Sequence, residues 1–125
     1  MDKKEFYSFL EHKRQNKWGD DYVFMESEGK AVGRVYRYND EKDIAYIEGL
    51  HVSEKERLKT IGGELFNKLL EKCKELGAKK IMLWCYKDEW VYSWYQKHGF
   101  EYNGDYQYDN DAVWMVKDLD GKKTM

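Results

Sequence analysis

Leu50-His51-Val52, the loop Arg57-Leu58-Lys59-Thr60-Ile61-Gly62-Gly63 and the run from Glu64 to Leu76 decide how this chain is read. An apolar extended segment delivers a basic, glycine-containing loop. Ile61, Leu65, Phe66, Leu69, Leu70, Cys73 and Leu76 then recur at helical spacing, with Glu64, Lys68, Glu71, Lys72 and Glu75 on the other side. A loop that passes straight into a helix aims backbone N–H groups and the positive end of the helix dipole at one point, which suits a phosphate-bearing ligand. The loop lacks both Gly-Lys-Ser/Thr and Gly-x-Gly-x-x-Gly, so the common ATP and dinucleotide cradles lose their main support.

Working outward, Gly77 supplies a helix stop, and Lys80 to Tyr86 is a short apolar run suited to a central strand. Strand, helix, strand in that order calls for a right-handed crossover and a parallel pair. Upstream, Tyr22 to Ser27, a Glu28-Gly29-Lys30 turn, Ala31 to Tyr38 and Ile44 to Val52 read as a three-stranded antiparallel meander. Residues 2–16 space Phe6, Phe9, Leu10 and the Lys13 stem as an amphipathic helix behind an Asp2 cap. Downstream, Asp88 caps a second helix carrying Trp90, Val91, Trp94 and Tyr95 and ending at Gly99. A hairpin follows, with arms at Phe100 to Tyr108 and Ala112 to Val116. The expectation is an α/β fold of the α+β kind: a mixed, mostly antiparallel sheet with a central parallel pair and flanking helices. Residues 1–125 form one domain, with an N-terminal helix within 1–18 and a tail at 118–125.

Composition limits what this domain does. A chain of 125 residues with 42% hydrophobic and 37% charged residues suits one globular core. No apolar run approaches the roughly 20 residues of a membrane span. Met1 to Glu5 carries mixed charge with no apolar signal core behind it, so a cytoplasmic location is expected. A net charge of −2 argues against a nucleic-acid coat. Charge is uneven, however: residues 54–80 hold eight Lys/Arg against five acids, and residues 101–111 hold four acids and no base. Cys73 and Cys85 are too far apart for a CxxC motif, and His12, His51 and His98 show no ligand spacing, so no metal site is expected. Both cysteines read as buried thiols.

Two motifs carry a resemblance. Leu50-His51-Val52 with Arg57-Leu58-Lys59-Thr60-Ile61-Gly62 matches a Leu-x-Val strand end followed by Arg/Gln-x-x-Gly-x-Gly/Ala. Trp94-Tyr95-Gln96-Lys97-His98-Gly99-Phe100 matches an aromatic-Tyr-x-Lys-x-Gly-Phe block about 40 residues later. Over most of residues 20–117 the chain thereby resembles the GNAT superfamily of acyl-CoA-dependent N-acetyltransferases. The resemblance implies acetyl-CoA as acyl donor and an amine as acceptor. It implies that the loop from Arg57 through Lys59, Thr60 and Ile61 to Gly63 wraps the pyrophosphate of coenzyme A. It also implies that the strands ending at Val52 and Tyr86 splay apart to take the pantetheine arm, with Leu50, His51 and Val52 alongside it. Thr60 stands where the motif has its first glycine, Asp88 stands where many relatives have Asn, and one N-terminal helix stands where the family often has a strand and two helices. Part of the usual acceptor wall is then missing or supplied by another subunit.

Direct transfer needs a neutral amine, a polarised thioester carbonyl and a proton for the departing thiolate. An amine of pKa about 10.4 is neutral to roughly one part in a few thousand at pH 7, so a proton acceptor matters by about 4–5 kcal/mol. Glu48 is the candidate, with pairing to Arg34 or Arg37 as its structural alternative. His51 is a second candidate; strand alternation puts it on the opposite face unless a bulge near Gly49 shifts the register. The resemblance makes Tyr95 the acid for the thiolate, against a role as a core aromatic. Tyr102, Asp105, Tyr106, Tyr108, Asp109, Asp111 and Trp114 with Glu26 are expected to hold a cationic amine. The many aromatics are equally compatible with a homodimer interface. The alternative to an enzyme is a GNAT-fold binding or regulatory module without catalysis.

Overall fold

The computed structural model describes residues 7–26, 28–56, 60–106 and 111–119. Seven strands, β1 (Phe9–Gln15), β2 (Gly19–Glu26), β3 (Ala31–Tyr38), β4 (Ile44–Val52), β5 (Lys80–Tyr86), β6 (Glu101–Tyr106) and β7 (Ala112–Asp118), form one sheet in the order β1-β2-β3-β4-β5-β7-β6. Helix α1 (Ile61–Glu75) joins β4 to β5, and α2 (Trp90–Lys97) joins β5 to β6. Among the described residues β4 and β5 are the one parallel pair and the remaining ladders are antiparallel. The α+β sheet expected from the sequence is therefore present, including the crossover through α1.

The N-terminal helix is not. Residues 9–15 form an edge strand in register with β2, from Phe9↔Glu26 to Gln15↔Asp20. The side chain of Asn16 accepts the backbone N–H groups of Trp18 and Gly19 at 2.8 and 3.1 Å and turns the chain back. Glu11 then meets Lys72 of α1 at 2.8 Å, and Lys13 lies over the Tyr22 ring. A spacing that permits a helix loses to a ladder and cross-element pairs that only the assembled sheet offers. Residues 1–6 lie outside the described residues, as do 120–125 of the expected tail; Lys117 and Asp118 belong to β7.

Cross-strand partners share a face, so the register sorts every strand residue to one of two sides. One side carries Tyr22, Phe24, Val35, Ile47, Ile81, Leu83 and Met115, all buried, and receives Leu65, Phe66 and Leu69 of α1. Phe66 lies 4.9, 5.5 and 5.9 Å, centroid to centroid, from Trp94, Tyr95 and Phe100, which brings α2 onto the same side. The approach of α1 to β3 is close: a Cβ on Gly33 would sit 2.8 Å from Leu69 Cδ1. Helix α1 ends in a Schellman motif, with Gly77 at φ 81° donating to Lys74 and Ala78 donating to Cys73. The other side of the sheet has no described helix over it. Tyr36, Tyr38, Tyr46 and Trp114 form an edge-to-face chain there, with centroid spacings of 4.6, 5.5 and 5.9 Å.

Candidate active site

The site is made where two regular ladders fail. Between β3 and β4 the register runs Val32↔His51 and Arg34↔Glu48, so three residues of β4 span what two residues of β3 span. Gly49, at φ 60°, absorbs the extra residue. The bulge is the condition on which His51 joins Glu48's face, and it is met: Val32 and Arg34 share a face, and so do their partners. Between β4 and β5 the parallel ladder covers Ile44↔Lys80, Ala45↔Ile81 and Tyr46↔Met82 and extends no further among the described residues. Past Tyr46 and Met82 the two strands diverge.

A cleft of about 650 Å3 occupies this gap and is lined by Leu50, His51, Val52, Gly62, Gly63 and Tyr95. Leu50 lies beside Gly33 on the helical side and His51 pairs with Val32 on the open side, so the lining draws on both faces of the sheet. At the α1 end the wall is bare backbone. A Cβ on Gly63 would meet nothing within 4 Å, and one on Gly62 would meet Val52 Cγ2 at 3.4 Å, so the first turn of the helix is open to a ligand. Such a wall fits an anion that needs N–H groups at close range. Thr60 is the N-cap residue, makes no side-chain cap, and donates its hydroxyl to Glu64 at 3.4 Å. Ile61 is fully buried and anchors the start of α1 in the core. Arg57, Leu58 and Lys59 lie outside the described residues.

Tyr95 is buried, and burial pushes its phenol well above the usual range, with smaller contributions from Cys85 and Glu89. It stays protonated throughout the physiological range. Cys85, also in the cleft wall, is pushed up to about 11 by burial and then by Glu89, so it is no nucleophile at neutral pH. Both cysteines are free and buried, as expected.

Glu48 takes its structural alternative. Its carboxylate accepts from Arg34 Nη2 at 2.8 Å, and Arg34 Nε lies 3.2 Å from Asp21, which in turn pairs with Arg14 at 3.3 Å. Glu48 is not among the residues lining the cleft, whereas His51 is. Asp88 is corrected as a cap: the N-cap of α2 is Glu89, which also reaches the cleft wall. One residue of loop length decides this, which no local pattern fixes.

Glu26, Tyr102 and Trp114 of the expected acceptor set do not come together. Glu26 is buried and accepts the N–H groups of Glu28 and Lys30 at 2.8 and 3.4 Å, which closes the β2–β3 turn. Tyr102 pairs with Met115 on the helical face, whereas Trp114 belongs to the open face, and β2 and β6 lie far apart in the strand order. The Asp105, Tyr106, Tyr108 and Asp109 side chains lie outside what is described. What sequence reasoning missed is the aromatic lining of the cleft: Trp84 and Tyr86 from alternate positions of β5, and Trp90 and Trp94 one turn apart on α2. Their spacings were legible; that both sets face one gap was not. No group of three or more His, Cys, Asp or Glu suited to a metal occurs among the described residues, and no helix among them is long and apolar enough to cross a membrane.

A family model described as the acetyltransferase (GNAT) family matches residues 2–100. Among solved structures, the chain is similar to an IAA acetyltransferase from Bacillus cereus, at 16% identity and a TM-score of 0.70, covering 90% of this chain and 100% of that one. It is also similar to a GNAT family acetyltransferase from Elizabethkingia anophelis with acetyl-CoA bound, at 16% identity and a TM-score of 0.66 over 89% and 98% of the two chains. A Bacillus subtilis acetyltransferase in complex with CoA is similar at 22% identity and a TM-score of 0.65 over 82% and 78%. At these identities the likeness is one of fold. No curated protein sequence matches the chain.

Proposed function

The chain belongs to the GNAT acetyltransferase family, and on that premise we propose that it transfers an acetyl group from acetyl-CoA to a primary amine of a small molecule or peptide, by direct attack, in the cytoplasm. The observation that carries this reading is the cleft between the diverging ends of β4 and β5, which joins an open helix start at Gly62 and Gly63 to the buried phenol of Tyr95. Acetyl-CoA is the acyl donor. Its pyrophosphate lies against the loop from Arg57 to Gly63, and its pantetheine amides pair with backbone groups around Leu50, His51 and Val52. The bound thioester supplies the activated acetyl group, and N–H groups of the same β4 segment polarise its carbonyl.

Tyr95 acts at the sulfur. A free thiol has a pKa of about 8.5, so a phenol held above its own ordinary range is the weaker acid of the two. Its contribution is a hydrogen bond that stabilises charge developing on sulfur, without completing the proton transfer. On the amine side, His51 lies in the cleft and Glu48 stands on the same face of the sheet, behind the bulge. His51 meets the amine directly, and Glu48 takes its proton through water while paired with Arg34.

Calorimetric titration with acetyl-CoA, with desulfo-coenzyme A and ATP as controls, tests the first half. Micromolar binding of acetyl-CoA and not ATP is the expected result, and an amine screen for thiol release then tests the second. The Arg34–Glu48 pair favours one other reading, a GNAT-fold binding or regulatory module without catalysis. Acetyl-CoA binding with no thiol release across an amine library, and no change on Glu48→Gln, would decide for that module.

A further inference from the structure

We propose that the acceptor is an arylalkylamine, a primary amine joined by a short alkyl link to an aromatic ring, and that Trp84 and Tyr86 form the subsite that takes the ring. The chemistry rests on the acetyltransferase reading; the subsite does not. Met82 pairs with Tyr46 at the last rung of the β4–β5 ladder, so Trp84 and Tyr86, at the next alternate positions of β5, stand on the same face along one bank of the gap. The opposite bank, from β4, puts Glu48 and His51 on that face. Both aromatic residues line the cleft. Their ring centroids are 5.6 Å apart and their planes cross at 80°, so they form a corner rather than a stack. Trp84 is half-buried and Tyr86 is 37% exposed, which leaves the corner anchored in the sheet and open to a ligand. A planar ring entering it meets one ring's face and the other's edge, the two arrangements that aromatic pairs prefer. Strands that no longer pair stand more than about 4.8 Å apart, a span that a short alkyl link crosses.

Charge selects the rest of the acceptor. Among the described residues lining the cleft, Glu89 is the one carboxylate, and there is no Lys or Arg. Glu89 lies near Tyr95 and Cys85, whose ionisation its charge disfavours, so it serves the one ammonium that enters and reacts. Glu48 is engaged by Arg34, and Arg34 is held in turn by Asp21. Lys87, next to Tyr86, lies over the Tyr102 ring at 5.1 Å. The other charges of this face stand away from the corner: Lys80 pairs with Asp118 at the start of β5, and Glu101 is on β6, beyond β7. An aliphatic polyamine would leave its second ammonium without a carboxylate, and an amino acid would leave its carboxylate without a cation. A monoamine with a flat apolar body leaves nothing unpaired. With its ring in the corner, the amine reaches toward His51 across the gap. Its nitrogen bonds the acetyl carbon as the bond from that carbon to sulfur breaks; the proton lost by nitrogen passes through water to Glu48, and coenzyme A leaves as a thiolate hydrogen-bonded by Tyr95.

Phenethylamine, cyclohexylethylamine and spermidine test the proposal, compared by thiol release from acetyl-CoA and by calorimetric binding to the protein saturated with coenzyme A. Phenethylamine is expected to show a kcat/KM about tenfold or more above the other two, because the cyclohexyl amine matches it in carbon count and charge but lacks the flat ring. Trp84→Leu and Tyr86→Leu should each raise KM for phenethylamine about fivefold to tenfold, bring it level with the cyclohexyl amine, and leave KM for acetyl-CoA unchanged. Circular dichroism and melting temperature show that the variants fold, and Tyr86→Leu, at an exposed position, carries the test if Trp84→Leu does not. Spermidine or the cyclohexyl amine turned over as well as phenethylamine, or a phenethylamine KM unmoved by the variants that fold, overturns the proposal. Phenethylamine binding that is lost in Tyr86→Leu, with no thiol release from any amine, would remove the acetyltransferase reading and leave the subsite standing. Thiol release with spermidine alone would remove the subsite and leave that reading.

Discussion

The two faces of one sheet are built by the same alternation and end in opposite conditions. On the helical face, Val35, Ile81, Leu65, Phe66, Leu69 and Met115 are sealed from solvent. On the open face, Tyr38, Tyr46 and Trp114 remain partly exposed, and their rings touch edge to face in a chain with the buried Tyr36. The hydrophobic contribution scales with area removed from water, so stability is concentrated on the first face. The second face keeps apolar surface that a core would have consumed, and both irregularities of β4, the bulge at Gly49 and the parting from β5, bring chemistry to it.

Paired truncations give this contrast its hardest test. Phe66→Ala removes a ring packed among Trp94, Tyr95 and Phe100, and should cost about 3–5 kcal/mol in urea unfolding. A cost below about 1 kcal/mol would mean that α2 is not anchored through this ring. The buried thiols give a further effect of the covered face. Cys85 rises from an ordinary value of 9.0 to about 11 and Cys73 to about 12, so each favours the folded state with its proton on. Their contribution is fully present below pH 9 and is lost as pH rises through 11 to 12, because the unfolded chain ionises first. Each thiol should therefore lower stability by about 2–3 kcal/mol by pH 11, and Cys85→Ala, relative to its own value at pH 7, should lose only about half as much as the parent chain.

Where the faces communicate, smaller and more selective effects are expected. Tyr95→Phe keeps the packing and removes the hydroxyl. It should lower kcat about 10- to 100-fold, roughly 1.4–2.7 kcal/mol, with acetyl-CoA affinity nearly unchanged. Unchanged kcat would leave Tyr95 a core aromatic. Gly63→Ala should move stability and binding in opposite directions. The helix gains up to about 1 kcal/mol, while the added methyl enters the open wall of the cleft and weakens acetyl-CoA in the titration. Improved stability with intact binding would place the pyrophosphate elsewhere. Smallest of all, Tyr38→Ser should change stability by no more than about 0.5 kcal/mol in urea unfolding. A cost approaching that of Phe66→Ala would erase the distinction between the faces.

The strands from β2 to β5, the crossover helix and the final hairpin were legible because each is written in local periodicity: alternation in Val32 to Tyr38, helical spacing in Ile61 to Leu76, glycines at the stops. The two motifs that hold Leu50, His51, Val52, Gly62, Gly63 and Tyr95 were legible for a related reason. Both are short, and the fold brings them to one cleft. Tertiary structure decided the rest. Residues 9–15 pattern as helix, yet the free edge of β2 offers a full ladder, and ladder bonds outweigh a weak propensity. For Glu48 the sequence leaves a proton acceptor and a partner of Arg34 or Arg37 both open, and the register sets Arg34 directly across from it. Glu26 and Trp114, both candidates for one acceptor pocket, fall on opposite faces of the sheet. A sequence fixes what each residue prefers over a few neighbours; which preferences meet depends on pairings many residues apart, and those exist only once the sheet has closed its register.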